Sequence, residues 1–164
     1  MNFLTSKEDA FSGKWHINTS PSSKLEIISN TYKRYALEEA HKSNDPKTKV
    51  GAILVKESPR FEGPAGIIST GYNIIHSSED SILSSKKKHD YVIHAEMMAL
   101  SNMLNNRITT DDTLALFVTH SPCNNCLNVL YNVKQIKFIF FYQELKLNEE
   151  IYQQFADRFI FCKL

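Results

Sequence analysis

The first third of the chain carries one helical pattern of apolar residues. Ser23, followed three positions later by Glu26, is a capping-box start for a helix. Apolar residues then recur every three or four positions, the spacing of one buried helix face: Leu25, Ile28, Tyr32, Tyr35, Ala36 and Ala40. Turn-forming residues follow at 43–46, so the pattern predicts a helix that ends near them.

Five short apolar runs, rich in β-branched and aromatic residues, predict strands. They cover residues 50–55, 67–72, 114–119, 136–142 and 159–162. The first two are separated by a connection at residues 57–63 and are expected to pair antiparallel. Residues 136–142 are almost continuously apolar, which is typical of a strand buried on both faces of a sheet.

Three further helices are predicted between and after these strands. The first lies at residues 94–104 and the last at residues 149–157. The one between them begins with Ser121 as its cap and Pro122 as its first helical residue. The polar segment at residues 77–90 predicts a loop. This order of elements predicts an α/β fold with a mixed central sheet of about five strands, flanked by helices on both faces.

Composition limits the class of protein. The 164 residues are 42% hydrophobic and 23% charged, which suits one globular domain; we expect it at residues 23–164, after a polar lead-in at residues 1–22. A net charge of +1 excludes a strong overall attraction to nucleic acid or membranes. No apolar run approaches the ~20 residues of a membrane span. Three cysteines and no apolar leader predict a reducing, cytoplasmic setting.

Two short motifs carry the candidate chemistry. His94 precedes Glu96 by two positions, and Cys123 and Cys126 are spaced as C-x-x-C after Pro122. Together they offer one imidazole and two thiolates, with a carboxylate beside them. Structural zinc sites usually use four protein ligands, whereas catalytic sites keep one position open for water. Three ligands and a spare acid therefore predict a hydrolytic Zn²⁺ site.

Glu96 is the candidate catalytic acid and base. It would accept a proton from water and later donate a proton to the group that leaves when the substrate is hydrolysed. Residues two positions apart do not face each other on a regular helix. His94 and Glu96 can therefore serve one site only if they lie where the helix begins.

Each candidate also has a structural interpretation. A lone C-x-x-C suits a redox pair or half of a structural zinc site, and a lone His suits a hydrogen-bonded core residue; the joint occurrence favours hydrolytic zinc chemistry. Cys162 is expected in the core. Lys86, Lys87 and Lys88 are expected on a solvated loop, with a phosphate contact as the alternative. For His120, a position outside the pocket is favoured.

The chain resembles the deoxycytidylate (dCMP) deaminases of the cytidine deaminase-like superfamily over about residues 32–141. H-A-E at 94–96 and P-C-N-N-C at 122–126 match the H-x-E and P-C-x-x-C signature of zinc nucleobase deaminases. D-P-K-T-K-V-G-A at 45–52 resembles the family's D-P-x-T-x-V-G-A, and S-T-G-Y-N at 69–73 resembles its S-x-G-Y-N.

The resemblance implies a hydrolase acting on a cyclic amidine, which deaminates dCMP to dUMP with release of ammonia and so feeds thymidylate synthesis. It implies that His94, Cys123 and Cys126 bind Zn²⁺ and that Glu96 shuttles protons. A cytidine deaminase-like fold follows from the same resemblance.

The resemblance also implies substrate contacts and partners. Asn73 matches a residue that contacts the substrate's sugar or base, and the backbone at Ala95 is expected against the pyrimidine. Lys49 is a phosphate candidate on charge and position. Family members are commonly homohexamers regulated by dCTP and dTTP with Mg²⁺. Ile74 stands where the family usually has glycine, whose backbone freedom a β-branched residue lacks; the effector site is therefore expected to be altered or absent.

Three functions stay open at this level. The first is deamination of dCMP. The second is deamination of another aminated base, such as cytidine, dCTP or adenosine in tRNA, since pocket shape rather than zinc selects the base. A polynucleotide substrate requires clustered basic residues, and 19 basic against 18 acidic residues leave little surplus. The third is a zinc-stabilised nucleotide-binding domain without catalysis.

Overall fold

A computed structural model describes residues 22–57, 63–104, 108–144 and 149–164, together with Thr5, Ser6, Asp9 and Asn106. For residues 22–25 the description is limited to the backbone. Most of the predicted lead-in and most of the predicted connection at residues 57–63 lie outside the described residues. The side-chain bonds of the Ser23 capping box also lie outside the description, although the backbone at Ser23 is helical. The domain boundary near residue 22 stays a prediction.

The described residues form seven strands in two sheets. The strands are β1 (Gly51–Lys56), β2 (Ile67–Tyr72), β3 (Ile74–Ile75), β4 (Val92–Ile93), β5 (Leu114–His120), β6 (Ile136–Gln143) and β7 (Ile160–Lys163). The main sheet has the order β2-β1-β5-β6-β7, and β3 pairs with β4 separately. β1 is antiparallel to β2 and β5, whereas β6 is parallel to β5 and β7. The predicted mixed sheet of about five strands and its antiparallel hairpin are confirmed.

Helices cover both faces of the main sheet, as predicted. The described α-helices are α1 (Ser22–Ala40), α2 (Asp80–Leu83), α3 (Ala95–Met103), α4 (Asn124–Tyr131) and α5 (Glu149–Phe155). Two 3₁₀ helices span Gly63–Gly66 and Lys86–Asp90. α1 packs on one face, and α3, α4 and α5 pack on the other. None of the helices in the described ranges is long and apolar enough to cross a membrane.

Alternation along β1 explains why the core has two layers. Ile53 and Val55 pack on the α1 side with Tyr32, whereas Ala52 and Leu54 pack on the α3 side. All five are buried. Because successive strand side chains point to opposite faces, a strand covered on both faces has to be apolar throughout. Each large side chain buried in this way stabilises the fold by about 1.5–3 kcal/mol.

The loop prediction for residues 77–90 is wrong. This stretch contains α2 and the 3₁₀ helix Lys86–Asp90. Ser85 caps the second of these by accepting a hydrogen bond from the N–H of Lys87 at 3.2 Å. Both helices are about one turn long and mostly exposed, so they carry no apolar periodicity that would reveal them in the sequence.

Two glycines let helices touch the backbone of the sheet. A Cβ atom at Gly51 would overlap the carbonyl oxygen of Ala36 in α1. A Cβ atom at Gly71 would overlap the carbonyl oxygen of Ala95 and the amide nitrogen of Ala99, both in α3. Glycine in a strand often marks such a close approach. The second contact fixes the first turn of α3 against β2.

Gly71→Ala is expected to destabilise the fold, because the added Cβ pushes α3 away from β2. Overpacking of this kind costs about 1–3 kcal/mol, and the urea midpoint should fall accordingly with an unchanged m-value. Ser101→Ala, at an exposed position of the same helix, is the matched control and should stay within about 0.5 kcal/mol of the wild type. A Gly71→Ala variant as stable as this control would contradict the close packing.

Candidate metal centre and active site

Two helix starts bring the ligand candidates together. β4 leads into His94, the residue before α3, and β5 leads through a short turn into Cys123, the residue before α4. His94 Nδ1 and Cys123 Sγ lie 3.7 Å apart. The ligand atoms of His94, Cys123 and Cys126 all lie within 4.8 Å of one another. The two motifs therefore form one cluster in the folded chain.

The requirement that His94 and Glu96 lie at a helix start is met. His94 caps α3 with an extended backbone, at φ −74° and ψ 153°. Regular helical rotation begins only at Ala95. The side chains of His94 and Glu96 therefore do not diverge as they would two positions apart within a helix, and both line one cavity.

The start of α4 differs from the prediction. Ser121 and Pro122 were expected as cap and first helical residue, but α4 begins at Asn124 with Cys123 as its cap. The Cys123 sulfur makes the cap itself, because it accepts the N–H of Cys126 at 3.5 Å. Both cysteines therefore stand at the helix N-terminus, where unpaired N–H groups favour a negative charge.

The three donors fit a zinc ion. Tetrahedral zinc takes sulfur at about 2.3 Å and imidazole nitrogen at about 2.0–2.1 Å, which places its ligand atoms roughly 3.5–3.8 Å apart. The separation of His94 Nδ1 and Cys123 Sγ, 3.7 Å, falls in this range. No pair exceeds 4.8 Å, a difference that side-chain rotation can close. Within the described ranges, this is the one group of three or more His, Cys, Asp or Glu side chains with such spacing.

The two thiols of the cluster differ in their tendency to ionise. The hydrogen bond from the Cys126 thiol, helped by one from His94, lowers the pKa of Cys123 to about 4 against the opposing effect of burial. The same bond to the Cys123 sulfur, and then burial, raise the pKa of Cys126 far above its usual range. Two neighbouring thiolates repel each other, so ionisation of one cysteine opposes ionisation of the other. A cation between the sulfurs is needed to deprotonate both.

Glu96 lies in the same cavity with only 3% of its surface exposed. Burial raises the pKa of its carboxyl to about 7, although its own backbone N–H and the nearby His94 act in the other direction. A cation held by the neighbouring ligands would lower this pKa, because it favours the carboxylate. A carboxyl group with a pKa near the working pH can both accept and donate a proton.

A cavity of about 220 Å³ opens beside these groups. Its walls are formed by Asp45, Thr48, Val50, Asn73, Lys88, His89, Val92, His94, Ala95, Glu96, His120, Ser121 and Cys123. The structure thus brings two predicted metal ligands, the predicted acid–base group and two predicted substrate contacts to one space. The third ligand, Cys126, is buried next to them.

Asn73 is held rigidly at this cavity. Its Oδ1 accepts the N–H of Val50 at 2.7 Å, and its Nδ2 donates to the carbonyl of Thr48 at 2.8 Å. These bonds fix the amide plane and leave one N–H and one lone pair for a ligand. A substrate contact by Asn73 stays a prediction, as does a backbone contact at Ala95.

The structure does not bring Lys49 to the cavity. Its exposed side chain donates to a carbonyl of the preceding turn at 2.7 Å. Lys88 lines the cavity instead; it is buried and paired with Asp45 at 2.9 Å. The prediction of a solvated position is therefore right for Lys86 and Lys87, which are exposed, and wrong for Lys88.

Two other candidates have clear positions. His120 lines the cavity, so the favoured position outside it is wrong. Its Nδ1 lies 3.0 Å from Thr119 Oγ1, and burial lowers the pKa of His120, which keeps the ring neutral near pH 7. Cys162 is fully buried in the α1 side of the core and stands outside the metal cluster, as expected.

Sequence reasoning missed several cavity residues. Asp45 and Thr48 stand in the D-P-x-T-x-V-G-A stretch, so that motif was a signal that they belong to the site. His89 and Val92 carry no comparable signal, because they reach the cavity only through the course of the segment before α3.

Comparison with known proteins identifies the family. Residues 28–143 match the cytidine and deoxycytidylate deaminase zinc-binding region. The match includes both metal-ligand motifs and all but the last strand of the main sheet. The chain belongs to this family.

Individual relatives share this region. A probable deoxycytidylate deaminase of Caenorhabditis elegans is 36% identical over 107 residues, which are 60% of this chain and 50% of that protein. The deoxycytidylate deaminase of Homo sapiens is 27% identical over 111 residues, which are 61% of this chain and 57% of that protein. The chain thus spans about half the length of the curated relatives that it matches.

Solved structures share the fold. The dCMP deaminase of cyanophage S-TIM5, in complex with dCMP and dUMP, superposes with a TM-score of 0.64 at 27% identity, over 84% of this chain and 97% of that one. The Aspergillus oryzae Rib2 deaminase, in complex with DARIPP, superposes with a TM-score of 0.58 at 25% identity, over 84% of each chain.

The purified chain is expected to carry one Zn²⁺, and Cys123→Ala should lose it during dialysis because only two protein ligands remain. Cys162→Ala removes a thiol outside the cluster and is the matched control; it should keep one zinc per chain. Plasma mass spectrometry of the dialysed proteins measures the zinc. Equal zinc content in the two variants would contradict the ligand assignment.

Asp45 is expected to stabilise the fold only above the acid range. Burial tends to raise its pKa, but the N–H of Lys47, the Lys88 ammonium and the N–H of Thr48 lower it more, so the pKa lies below the ordinary 3.8. Above about pH 3.8 this carboxylate contributes to the free energy of unfolding, and the contribution is lost as the pH falls through the pKa of the folded state. The stability difference between the wild type and Asp45→Asn, from urea unfolding, should shrink between about pH 5 and pH 3. A constant difference would contradict this shift.

Proposed function

We propose that this chain catalyses the hydrolytic deamination of dCMP to dUMP with release of ammonia, a reaction that feeds thymidylate synthesis. The observation that carries the proposal is the buried carboxyl of Glu96 in one cavity with His94 and Cys123, two members of the three-ligand group. A purely structural zinc site is closed by its protein ligands and does not require a carboxyl group that is not a ligand. The likeness to deoxycytidylate deaminases, and to a phage enzyme seen with dCMP and dUMP, supports the choice of substrate.

Glu96 performs the proton transfers in this proposal. Water adds to the ring carbon that bears the amine, and the Glu96 carboxylate accepts the proton that the water loses. The resulting carboxylic acid protonates the adjacent ring nitrogen. Glu96 then passes the proton of the new hydroxyl group to the amine, so that the carbon–nitrogen bond breaks, ammonia leaves and the hydroxyl oxygen becomes the carbonyl oxygen of the product. Burial raises the pKa of the Glu96 carboxyl, and a cation held beside it would lower that pKa, so the two opposing effects suit proton transfer in both directions near neutral pH.

His94, Cys123 and Cys126 would hold the zinc. A bound zinc ion supplies Lewis acidity, which lowers the pKa of water at the site. The protein contributes enclosure, because Glu96 and Cys126 are almost completely buried. Electrostatic interactions are stronger in such a water-poor environment than in bulk solvent.

The walls of the cavity supply the proposed substrate contacts. Asn73 offers a fixed amide to the sugar or base, and the backbone at Ala95 borders the space for the pyrimidine. The phosphate contact at Lys49 has no support from the geometry, because this side chain is absent from the cavity walls.

The proposal also includes regulation by nucleotides and assembly into an oligomer. Binding of dCTP and dTTP with Mg²⁺ and formation of a homohexamer both rest on that resemblance, and a cytoplasmic location rests on cysteine usage. Ile74, at the position where the family usually has glycine, pairs with Ile93 in the small sheet. A β-branched residue suits this extended backbone, so we expect weak or absent activation by dCTP.

Deamination of another aminated ring is the second candidate. The likeness to the Rib2 deaminase bound to DARIPP favours it, at an identity close to that of the phage enzyme. The chemistry assigned to Glu96 would serve any cyclic amidine, so substrate turnover has to decide. A panel of dCMP, dCTP, cytidine, DARIPP and an adenosine-containing tRNA separates these cases, and a zinc-loaded chain that turns over none of them favours the non-catalytic domain.

Glu96→Gln is expected to lower kcat for dCMP by about 10²–10⁴-fold, because the amide cannot carry the proton. Zinc content should stay at one per chain, since Glu96 is not a ligand. Glu79→Gln, at an exposed position, is the matched control and should keep wild-type kcat. Ammonia release at saturating dCMP measures the effect.

Two results would count against the proposal. A wild-type protein with bound zinc that releases no ammonia from dCMP rejects the substrate assignment. A Glu96→Gln variant with more than about a tenth of wild-type kcat rejects the acid–base role, because it loses less than such groups contribute.

A further inference from the structure

A buried ion pair joins two segments of the cavity wall. The Lys88 ammonium contacts both carboxylate oxygens of Asp45, at 2.9 and 3.0 Å. The residues are 43 positions apart in the chain, yet their exposed fractions are only 9% and 5%. Lys88 belongs to the β3–β4 segment (residues 74–93), and Asp45 belongs to the α1–β1 loop (residues 41–50). Both residues line the cavity.

The α1–β1 loop is built around the Asp45 carboxylate. Its Oδ1 also accepts the N–H groups of Lys47 at 2.8 Å and Thr48 at 3.1 Å. The neighbouring Asn44 exchanges two hydrogen bonds with the backbone of Ile75 in β3, at 2.8 and 2.9 Å. The loop therefore holds the β3–β4 segment twice, near its first residue through these amide bonds and near its last through the ion pair.

The end of the β3–β4 segment leads to the metal cluster. The carbonyl of Lys88 accepts the N–H of Tyr91 at 3.0 Å. Val92 follows in β4 and lines the cavity, and His94 comes directly after β4. Lys88 is thus bonded through its side chain to Asp45 and through its backbone to Tyr91, the residue directly before β4.

A buried ion pair is better suited to fixing geometry than to adding stability. Removing two charges from water offsets much of their attraction, but removing one partner leaves an unpaired buried charge. The segments on either side are therefore held at one separation. The pair Lys56–Asp112, at 2.8 Å, constrains its surroundings less, because the Lys56 side chain is 50% exposed although that of Asp112 is only 10% exposed.

We propose that Lys88 is a positioning residue for the deamination: its ion pair with Asp45 fixes the β3–β4 segment against the α1–β1 loop and thereby sets the shape of the cavity that receives the substrate. This inference rests on the proposed function. Lys88 acts through Asp45 and not through a bond to the substrate. The pair is expected to affect substrate binding more than the chemical step. Glu96 lies in the first turn of α3, and that turn is held separately by its contact with Gly71.

Three variants and one control test this role. Lys88→Met removes the ammonium. Asp45→Asn keeps an oxygen for the neighbouring N–H groups but removes the charge that holds Lys88. Lys88→Arg keeps the positive charge and should restore function. Lys56→Met breaks the half-exposed pair with Asp112 and is the matched control, since neither residue lines the cavity.

Kinetics with dCMP give the first measurement. Lys88→Met and Asp45→Asn are expected to lower kcat/KM by about 10²-fold, the effect of a displacement of about 1 Å in a reaction site, with most of the loss in KM. Lys88→Arg should recover most of this loss, and Lys56→Met should equal the wild type.

Hydrogen–deuterium exchange of the same proteins gives the second measurement. Amides of residues 74–93 should exchange at least about tenfold faster in Lys88→Met and Asp45→Asn, because local opening becomes easier. Amides of β1 and β5 should keep their wild-type rates. Lys56→Met should leave the exchange of residues 74–93 unchanged.

Several outcomes would overturn the proposal. Unchanged exchange in residues 74–93 rejects it, and a raised KM with that unchanged exchange makes Lys88 a direct substrate contact. Faster exchange with unchanged kcat and KM makes the pair purely structural. If Lys88→Met fails to fold, Asp45→Asn decides by the same criteria.

Failure of the proposed function is a separate result. It shows as a zinc-loaded wild type that turns over no dCMP. In that case dCMP binding, measured by isothermal titration calorimetry on the zinc-loaded chain, replaces the kinetics. An equal Kd for the wild type and Asp45→Asn, or no binding by the wild type, rejects the role of Lys88.

Discussion

The meeting of two helix N-termini is the constraint on which the rest of this structure depends. α3 begins after His94 and α4 begins after Cys123, and both residues keep an extended backbone that lets their side chains converge. The position of α3 is fixed by β2, where the absence of a side chain at Gly71 leaves room for its first turn. α4 follows β5, the buried centre of the sheet. The packing of α3 and α4 against the sheet therefore also sets the positions of the ligand candidates at their N-termini.

The two helix N-termini also bring ionisable side chains close together. Burial raises the pKa of Glu96 to about 7, and the pKa of Cys126 is raised by its bond to the Cys123 sulfur and by burial, so these groups resist ionisation side by side. A divalent cation removes that conflict, because it favours both thiolates and the carboxylate at once. Metal binding should then be linked to folding stability as well as to chemistry.

The fold could be predicted from the sequence largely because its central strands are buried on both faces, so that residues 114–118 are apolar without interruption and residues 136–142 are apolar except for Lys137. The metal cluster could be predicted because its residues form local motifs. The start of α4 was misplaced because Ser121 and Pro122 resemble an ordinary cap, whereas a cysteine sulfur makes the actual one. The partnership of Asp45 and Lys88 could not be predicted, because it joins positions 43 residues apart that share no pattern.

X-ray absorption spectroscopy of the zinc-loaded protein tests the central claim most directly. We expect two sulfur ligands at about 2.3 Å and two lighter ligands at about 2.0–2.1 Å. One of the lighter ligands is the imidazole of His94, and the other exchanges with solvent or inhibitor. A third sulfur, or a second protein side chain in the exchangeable position, would contradict a site that keeps one position open beside Glu96.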